Sequence, residues 1–366
     1  MDLSVNRIGV DGAVAISNAI QSEHCRLVRL DLSGNRIGVD GAVAISNAIQ
    51  SEYGSLTELH LQWSGMRDGG ASALANSMKS EHCKITELRL SGSQIGDDGA
   101  TSIGEAIQSG HCRLIELYLD GNQIGDRGAS ALANAIQSER CRLTDLYLGR
   151  NRIGDEGASA LANAIQSENC RITELNLGFR RFAYPTRNIR NLINYGQFFG
   201  NHIRDEGATA LAIAIQSKHC RLTKLNLGGN QIGDDGASAL ANAILSEHCK
   251  ITELNLSNNQ IGVKGASALA NAIQSEHCRL TELDLSRNSK IGSFGALAFA
   301  VAIRSGKCYL EKLDMNYCRL GLEARDDLRL AVESGKCKLD LLCNDDYEDD
   351  YEDEEDEFNE YEEDEI

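Results

Sequence analysis

The sequence has no apolar stretch that approaches the ~18–20 residues of a membrane-spanning helix, so we expect no membrane insertion. Its first residues, Met1 to Ser4, lack the basic region and the apolar core that together make a secretory signal. We therefore expect a cytoplasmic protein that can also enter the nucleus.

The sequence also lacks the short motifs of common catalytic sites. It contains no Gly-rich phosphate loop, no H-E-x-x-H zinc motif and no G-x-S-x-G nucleophile turn. These absences argue against an enzyme, and they give no reason to expect a cofactor.

An excess of basic residues is missing too. The net charge is −18, but 16 of the 54 Asp and Glu residues lie in Asp345–Ile366, which contains no Lys or Arg. The remaining 38 acidic residues are balanced by 36 Lys and Arg. A nucleic-acid-binding protein would need a basic face, so we expect no nucleic-acid partner. The acidic segment is too poor in apolar residues to fold, which predicts a disordered tail over 345–366.

Cysteine pairs with metal-binding spacing are absent, although the chain contains twelve cysteines. Metal sites need local pairs such as C-x-x-C, so we predict no metal site. Ten cysteines stand alone at one position of a repeated unit: Cys25, Cys83, Cys112, Cys141, Cys170, Cys220, Cys249, Cys278, Cys308 and Cys337. We expect them to be buried space-filling residues in a reducing compartment. Six histidines directly precede such a cysteine, and we expect these to be solvated turn residues.

The repeated unit is 29 residues long, as from Cys112 to Cys141, and reads C-R-L-T-E-L-x-L-S-x-N-x-I-G-D-D-G-A-S-A-L-A-N-A-I-Q-S-E-H. In one copy Leu225 and Leu227 alternate with polar residues, which predicts a strand with one buried face. Residues 237, 240, 241 and 244 of the same copy are apolar at helical spacing, which predicts a helix. Strand, helix and next strand are then joined by a right-handed crossover into a parallel sheet.

Two recurrent polar positions also predict structural roles. Asp234 and Asp235 stand just before the helix, where a carboxylate can cap free N–H groups and meets the positive end of the helix dipole. Asn230 and its copies follow the strand, where the side chain can bond backbone groups that leave the sheet. Stacked copies would form an asparagine ladder.

The pattern L-x-x-L-x-L-x-x-N, with a helical second half and a 29-residue period, resembles the ribonuclease-inhibitor class of leucine-rich repeats. The resemblance covers residues 1–344 apart from one insert. It implies an α/β leucine-rich-repeat solenoid (a horseshoe) of about eleven 29-residue repeats, with parallel strands on the concave side and helices on the convex side. It also implies that a protein ligand binds along the concave face.

Departures from the repeat indicate where such a ligand would bind. The first outward row of the strands is mostly acidic, which suggests a ligand with basic groups, although a solvated charged face explains the row equally well. The second row carries His60, Arg89, Tyr118 and Tyr147 in the N-terminal half and mainly Asn elsewhere. Aromatic residues and Arg dominate interface energetics, whereas drift in a loosely constrained repeat is the competing interpretation. The predicted protein-binding residues are Glu58, His60, Gln62, Trp63, Glu87, Arg89, Glu116, Tyr118, Asp120, Asp145, Tyr147, Arg150, Phe179, Arg180 and Arg181.

The largest departure is the insert Phe179–Phe199, which lies between the strand and the helix of one unit. It contains the sole proline, four of the seven phenylalanines and four arginines without an acidic residue. Three interpretations stay open: a clasp over the concave face, a segment that docks on the acidic tail, or a retained intron that preserves the reading frame.

Three functions follow from the sequence. The first is a non-catalytic, monomeric interaction scaffold, because repeats of this kind create a binding surface. The second follows from a resemblance to Ran GTPase-activating proteins, which share such repeats and an acidic C-terminal tail; it implies a small GTPase as partner. The third is an inhibitor of a basic ribonuclease, although the C-terminal part of the concave face has no dense aromatic cluster.

Overall fold

A computed structural model describes residues 1–179, 200–335 and 337–344 of the protein. The described residues form eleven helices that alternate with eleven short strands. All the strands pair in parallel, in sequence order, in one open sheet. This confirms the predicted solenoid, with strands on the concave side and helices on the convex side. The insert beyond Phe179 and the acidic tail, both predicted from the sequence, lie outside the described residues.

The elements recur with almost constant length. The strands are β1 Arg29–Asp31, β2 Glu58–His60, β3 Glu87–Arg89, β4 Glu116–Tyr118, β5 Asp145–Tyr147, β6 Glu174–Asn176, β7 Lys224–Asn226, β8 Glu253–Asn255, β9 Glu282–Asp284, β10 Lys312–Asp314 and β11 Asp340–Leu342. The helices are α1 Val10–Ile20, α2 Gly38–Ile49, α3 Arg67–Met78, α4 Asp97–Ile107, α5 Asp126–Ile136, α6 Asp155–Ile165, α7 Asp205–Ile215, α8 Asp234–Ile244, α9 Val263–Ala272, α10 Gly292–Arg304 and α11 Leu322–Glu333.

Strands β1 to β10 bury their central leucine and direct their two outer residues to the concave surface, whereas Leu341 of β11 is partly exposed. In β7, Leu225 lies in the core with Leu227 just beyond it, as the alternation predicted. On α8, Leu240 and Ile244 are buried against the sheet and the neighbouring helices. The period of the sequence therefore sets both layers of the repeat.

The aspartate at the start of most helices caps the helix of the next repeat. Asp234 was predicted to precede its helix, but it lies in the first turn of α8. The N-cap residue of α8 is Gly233, which makes no side-chain capping hydrogen bond. Asp234 Oδ1 instead accepts the N–H groups of Gly262 and Gly265, each at 2.8 Å, at the start of α9. The same pair of bonds is made by Asp68, Asp97, Asp126, Asp155 and Asp205. These carboxylates satisfy helix N-termini and join adjacent repeats.

The predicted asparagine ladder is present. Asn122 donates to the carbonyls of Leu119 (2.9 Å) and Leu90 (3.1 Å) and accepts the N–H of Ile95 at 3.0 Å. Asn201 continues the ladder after the insert, where it donates to the carbonyl of Leu148 at 2.9 Å. Strands β6 and β7 also pair in register, so the insert leaves the stacking of repeats intact.

The recurrent cysteines are buried as predicted, except that Cys25 is partly exposed, and none of the ten is disulfide-bonded. Burial raises the pKa of several thiols, that of Cys112 to about 11. The histidines that precede these cysteines are exposed, which confirms them as solvated turn residues. The cysteine row therefore fills space between repeats.

Candidate protein-binding surface on the concave face

The register of the strands aligns the outward residues in two rows along the concave face. Glu58 lies beside Glu87, and His60 lies beside Arg89. Tyr118 follows Arg89 in the same row, with Tyr147 beside it. The residues predicted from the repeat to share a row are therefore neighbours across the sheet.

Asn and Asp in the second row have a structural role. In each strand that carries an Asn or Asp in the second row, the side-chain Oδ1 of that residue accepts the backbone N–H of the residue two positions further on, at 2.9–3.0 Å. Such turns fix the direction in which the chain leaves the strand. The residues that do so are Asp31, Asn176, Asn226, Asn255, Asp284 and Asp314. Strands β2 to β5 carry other residues at this position and give up this bond.

Three of those other residues form a stacked column. The guanidinium of Arg89 lies over the ring of Tyr118, 4.3 Å from its centroid. The rings of Tyr118 and Tyr147 stack with 4.2 Å between centroids and 6° between planes. Both rings are consequently buried, with 8% and 5% of their surface exposed. The column is a rigid platform, and most of the two ring faces is already covered within the protein.

Acidic residues of the first row hold this column in place. Arg89 Nε donates to Glu87 Oε1 at 2.6 Å, and Tyr118 Oη donates to Glu116 Oε2 at 2.8 Å. Burial and the bond to Glu116 raise the pKa of Tyr118 to about 12. Burial raises the pKa of Glu87, but the bonds and charges of Arg89 and His60 outweigh it, and the pKa is lowered. Arg89 therefore faces an ionised carboxylate.

His60 lies at the N-terminal end of the column, between two carboxylates. Its Nδ1 is 3.4 Å from Asp31 Oδ2, and its Nε2 is 3.1 Å from Glu87 Oε1. Burial raises the pKa of Asp31, but hydrogen bonds from His60 and Ser33 outweigh burial and lower the pKa to about 2. Glu58 is close enough to complete a group of three metal-ligating residues with His60 and Glu87. Cysteine spacing did not point to this group, but the one histidine of the second row, next to an acidic first row, would have been the signal.

A third row of side chains lies in the loops that follow the strands. Trp63 and Arg150 occupy it with positive φ angles of 57° and 53°, where glycine stands in several other repeats. The Trp63 indole is 37% exposed and covers Gly92 so closely that a Cβ there would overlap the ring. Arg150 lies over the ring of Phe179, 4.4 Å from its centroid. This loop row borders the column on the side of the strand ends.

The remaining predicted residues differ in accessibility. Gln62 is half-buried, and its Oε1 accepts a hydrogen bond from Ser33. Asp145 accepts a bond from Thr144 and stays partly exposed. Asp120 is buried, and its Oδ1 accepts the N–H of Gly149 at 3.1 Å, so it supports the backbone. Arg180 and Arg181 lie outside the described residues.

The C-terminal half of the concave face has a different character. Strands β6 to β10 border a groove of about 260 Å³ whose polar lining consists of carboxamides, carboxylates, Lys224 and Lys312. Asn255 Nδ2 donates to Asp284 Oδ2 at 3.1 Å, and Lys224 pairs with Glu253 at 2.7 Å. In the second row, strands β6 to β10 carry only Asn and Asp, whereas β2 to β5 carry His, Arg and Tyr.

Among the described residues, no helix has both the length and the apolar character required to cross a membrane. No curated protein matches the chain. Solved structures with similar folds include a chain from a complex of Rad7 and Elc1 in yeast, with 19% identity over 91% of this chain and 75% of that chain and a TM-score of 0.48. An internalin (inlF) of Listeria monocytogenes matches with 20% identity over 79% and 84% of the two chains and a TM-score of 0.32.

A family model described as a leucine-rich repeat matches nine segments that together make up more than half of the chain. The segments are residues 24–46, 55–75, 81–104, 111–133, 141–162, 197–212, 218–241, 247–270 and 277–300. A helix in every repeat is compatible with the ribonuclease-inhibitor type. Eight of the nine matches include the strand leucines and most of the helix of one repeat, and the match over 197–212 covers the start of α7 after the insert. The chain belongs to the leucine-rich-repeat family.

Proposed function

We propose that this protein is a non-catalytic scaffold that binds a protein partner with the N-terminal half of its concave face. The observation that carries the proposal is the column of Arg89, Tyr118 and Tyr147, which replaces the Asn and Asp turns of the other strands. A residue that merely drifted would leave a looser surface, whereas these three side chains pack on one another. Tyr and Arg are also the residues that most often dominate interface energies.

The partner contact would centre on Trp63 and on the loop row beside the column. Trp63 is the large aromatic residue of this region with the most exposed surface, and its indole packs over Gly92 of the next repeat. The first row presents Glu58, Glu87 and Glu116 along the same strands. A partner with basic groups at its contact surface fits this arrangement, because opposite charges steer association and set register.

Variants on this surface test the proposal. Cross-linking capture from a cell extract should recover a partner with the wild-type protein and lose it with Trp63→Ala and with Tyr118→Ala, which removes the ring that stacks on Tyr147. The Arg287–Tyr317 pair, whose guanidinium lies 4.8 Å from the ring centroid, offers a matched control at the other end of the loop row. Arg287→Ala should keep the partner. Equal recovery with all four proteins would place the contact elsewhere.

A second candidate function is activation of a small GTPase of the Ran type. The eleven strands of the sheet, followed in the sequence by the acidic segment 345–366, favour it. Single-turnover GTP hydrolysis by Ran, with and without an excess of this protein, separates the two functions. An unchanged rate removes the activator and leaves the scaffold.

We further propose that the protein is a monomer that works in the cytoplasm or the nucleus. The recurrent thiols are buried and reduced, which suits a reducing compartment. Light scattering after size-exclusion chromatography gives the mass in solution. A mass near twice the 39.7 kDa of the chain would contradict the monomer.

A further inference from the structure

Glu58, His60 and Glu87 bring one nitrogen and two carboxylate ligands together on strands β2 and β3. Their ligand atoms all lie within 4.8 Å of one another, the one such group found among the described residues. We propose that this group binds a divalent transition-metal ion, with Zn²⁺ as the best match. Because the metal site needs no partner protein, it stands or falls separately from the scaffold function.

The position of His60 is typical of a metal ligand. Its side chain is only 9% exposed, and its Nε2 is directed toward Glu87 at 3.1 Å. Asp31 stands behind the ring, 3.4 Å from Nδ1, and is itself held by the N–H of Ser33 at 2.9 Å. Metal-bound histidines usually contact such a carboxylate with their second nitrogen, which fixes the tautomer and the ring orientation.

The spacing and the chemistry of the ligands favour zinc. Zn²⁺ binds His nitrogen and carboxylate oxygen at ~2.0–2.2 Å, which puts tetrahedral ligands about 3.3 Å apart. The 3.1 Å between His60 Nε2 and Glu87 Oε1 is close to that separation, and Glu58 needs only a side-chain rotation to approach. Three protein ligands leave a fourth position for water or a donor atom of a partner. Ca²⁺ and Mg²⁺ prefer sites made of oxygen alone.

Two arginines form ion pairs with these carboxylates, so a metal ion would have to compete with them. Arg29 pairs with Glu58, but its side chain is 58% exposed and can turn into solvent. Arg89 stacks on Tyr118 and donates to Glu87 Oε1, the same oxygen that lies 3.1 Å from His60 Nε2, so a metal ion would bind Glu87 through Oε2 or displace Arg89 from Oε1. The more exposed Arg29–Glu58 pair contributes little, on the order of 0–1 kcal/mol, so a metal ion displaces it at small cost. The Arg89–Glu87 pair is more buried and can stay in place when Glu87 binds the metal through its other oxygen.

The repeat supplies a matched control within the same chain. Glu253 and Glu282 occupy on β8 and β9 the positions that Glu58 and Glu87 occupy on β2 and β3. Asn255 stands there in place of the histidine, and its amide donates to Asp284. A paired row of carboxylates is therefore common to both places, and His60 distinguishes the first.

Titration calorimetry of the full-length protein with zinc chloride tests the proposal. We expect one saturable site in the wild-type protein that is lost in His60→Asn, which introduces the residue that three other strands carry. Asp31→Asn, which alters a positioning residue, should weaken binding by about 10–100-fold. Glu253→Gln with Glu282→Gln should leave the site unchanged. Magnesium and calcium chloride should produce no comparable site.

The acidic tail and the thiols are retained in every variant, so any zinc that they bind contributes equally to all the isotherms. Absorption spectra with Co²⁺ provide the second measurement. A d–d spectrum without a thiolate charge-transfer band, present in the wild type and absent in His60→Asn, supports a nitrogen–oxygen site. Circular dichroism shows that the variant is folded. Identical zinc isotherms for the wild type and folded His60→Asn, or a cobalt thiolate band alone, would overturn the proposal.

Discussion

Asp234 joins two repeats, and its replacement by alanine should lower the free energy of unfolding by about 2 kcal/mol. Its carboxylate accepts two N–H groups, those of Gly262 and Gly265, each at 2.8 Å. Helix α9 has no acidic residue in its own first turn, and its N-cap is a glycine. The neighbouring repeat therefore supplies its side-chain cap.

The magnitude follows from the two bonds. Replacing a capping Asp by Ala typically costs ~0.5–2 kcal/mol, and a hydrogen bond to a charged group contributes ~1.5–3 kcal/mol. The two estimates describe the same interaction and are not added. The site is partly buried, so water can replace part of the lost hydrogen bonding to the N–H groups. We therefore take the middle of the range that the two estimates span.

Asp235 is the matched control, because it is the adjacent carboxylate on the same helix. Its side chain is exposed and pairs with Lys264 on the surface. Asp235→Ala should leave the urea midpoint essentially unchanged, while Asp234→Asn, which keeps one acceptor oxygen, should fall between the two. Circular dichroism in urea gives the midpoints.

Hydrogen exchange locates the effect, because repeat proteins can unfold in parts. Asp234→Ala should increase exchange at the start of α9 rather than in α8, which carries the substitution. Equal midpoints for the two alanine variants would refute the cross-repeat cap. So would a loss of protection confined to α8.

Three further predictions concern single residues. The folded pKa of Asp31 is about 2, below the unfolded value of about 4, so this carboxylate contributes stability above pH 4 that is lost as the pH falls toward 2. The difference in unfolding free energy between the wild type and Asp31→Asn should therefore shrink over that interval in urea titrations; a constant difference would contradict the assignment. Gly92→Ala should lower the free energy of unfolding more than Gly121→Ala, because the two glycines have almost the same positive φ but only Gly92 lies under the Trp63 ring. Gly92→Ala should also alter the fluorescence of Trp63. Equal effects of the two substitutions would mean that the indole moves aside freely. Brief alkylation of the native protein at pH 8 should modify Cys25 well before Cys112 and Cys141, because burial shields these two thiols and raises their pKa values to about 11. Peptide mass spectrometry can check this order, and uniform labelling would count against a closed core.

The fold was predictable because a 29-residue period gives every copy of a residue the same environment. Leu225 predicts a buried strand centre, and ten other strands repeat the argument. The row that contains Tyr118 and Tyr147 was likewise predictable, since residues one period apart become neighbours in a parallel sheet. Their burial was not predictable, because it arises from ring stacking between adjacent strands rather than from the pattern within one strand.

Contacts between repeats account for the other differences. Asp234 was expected near the start of a helix, and the sequence could not tell which of two adjacent helices it caps. Asp120 was expected on the binding surface, but its carboxylate turns toward the N–H of Gly149 and is buried. Both cases depend on the offset between neighbouring units, which spacing along the chain does not contain. The group around His60 depends on the same offset.

The loop row shows why exceptions to the repeat carry more information than its consensus. Its residues adopt positive φ angles, which glycine tolerates and most other residues adopt at a cost of roughly 1 kcal/mol. Glycine occupies the position at Gly121 and Gly229, yet Trp63 and Arg150 stand there with φ of 57° and 53°. Favourable contacts of the Trp63 and Arg150 side chains must therefore offset this free-energy cost. Part of the offset is internal, since the Trp63 indole packs on the next turn and Arg150 stacks on Phe179, but Trp63 also leaves 37% of its surface exposed beside the tyrosine column. A positive φ alone does not single out these strands, because Asn258, Arg287 and Tyr317 share it further along the loop row. What distinguishes the half that carries the column of Arg89, Tyr118 and Tyr147 is the exposed Trp63 indole, and this supports a partner contact at β2–β5.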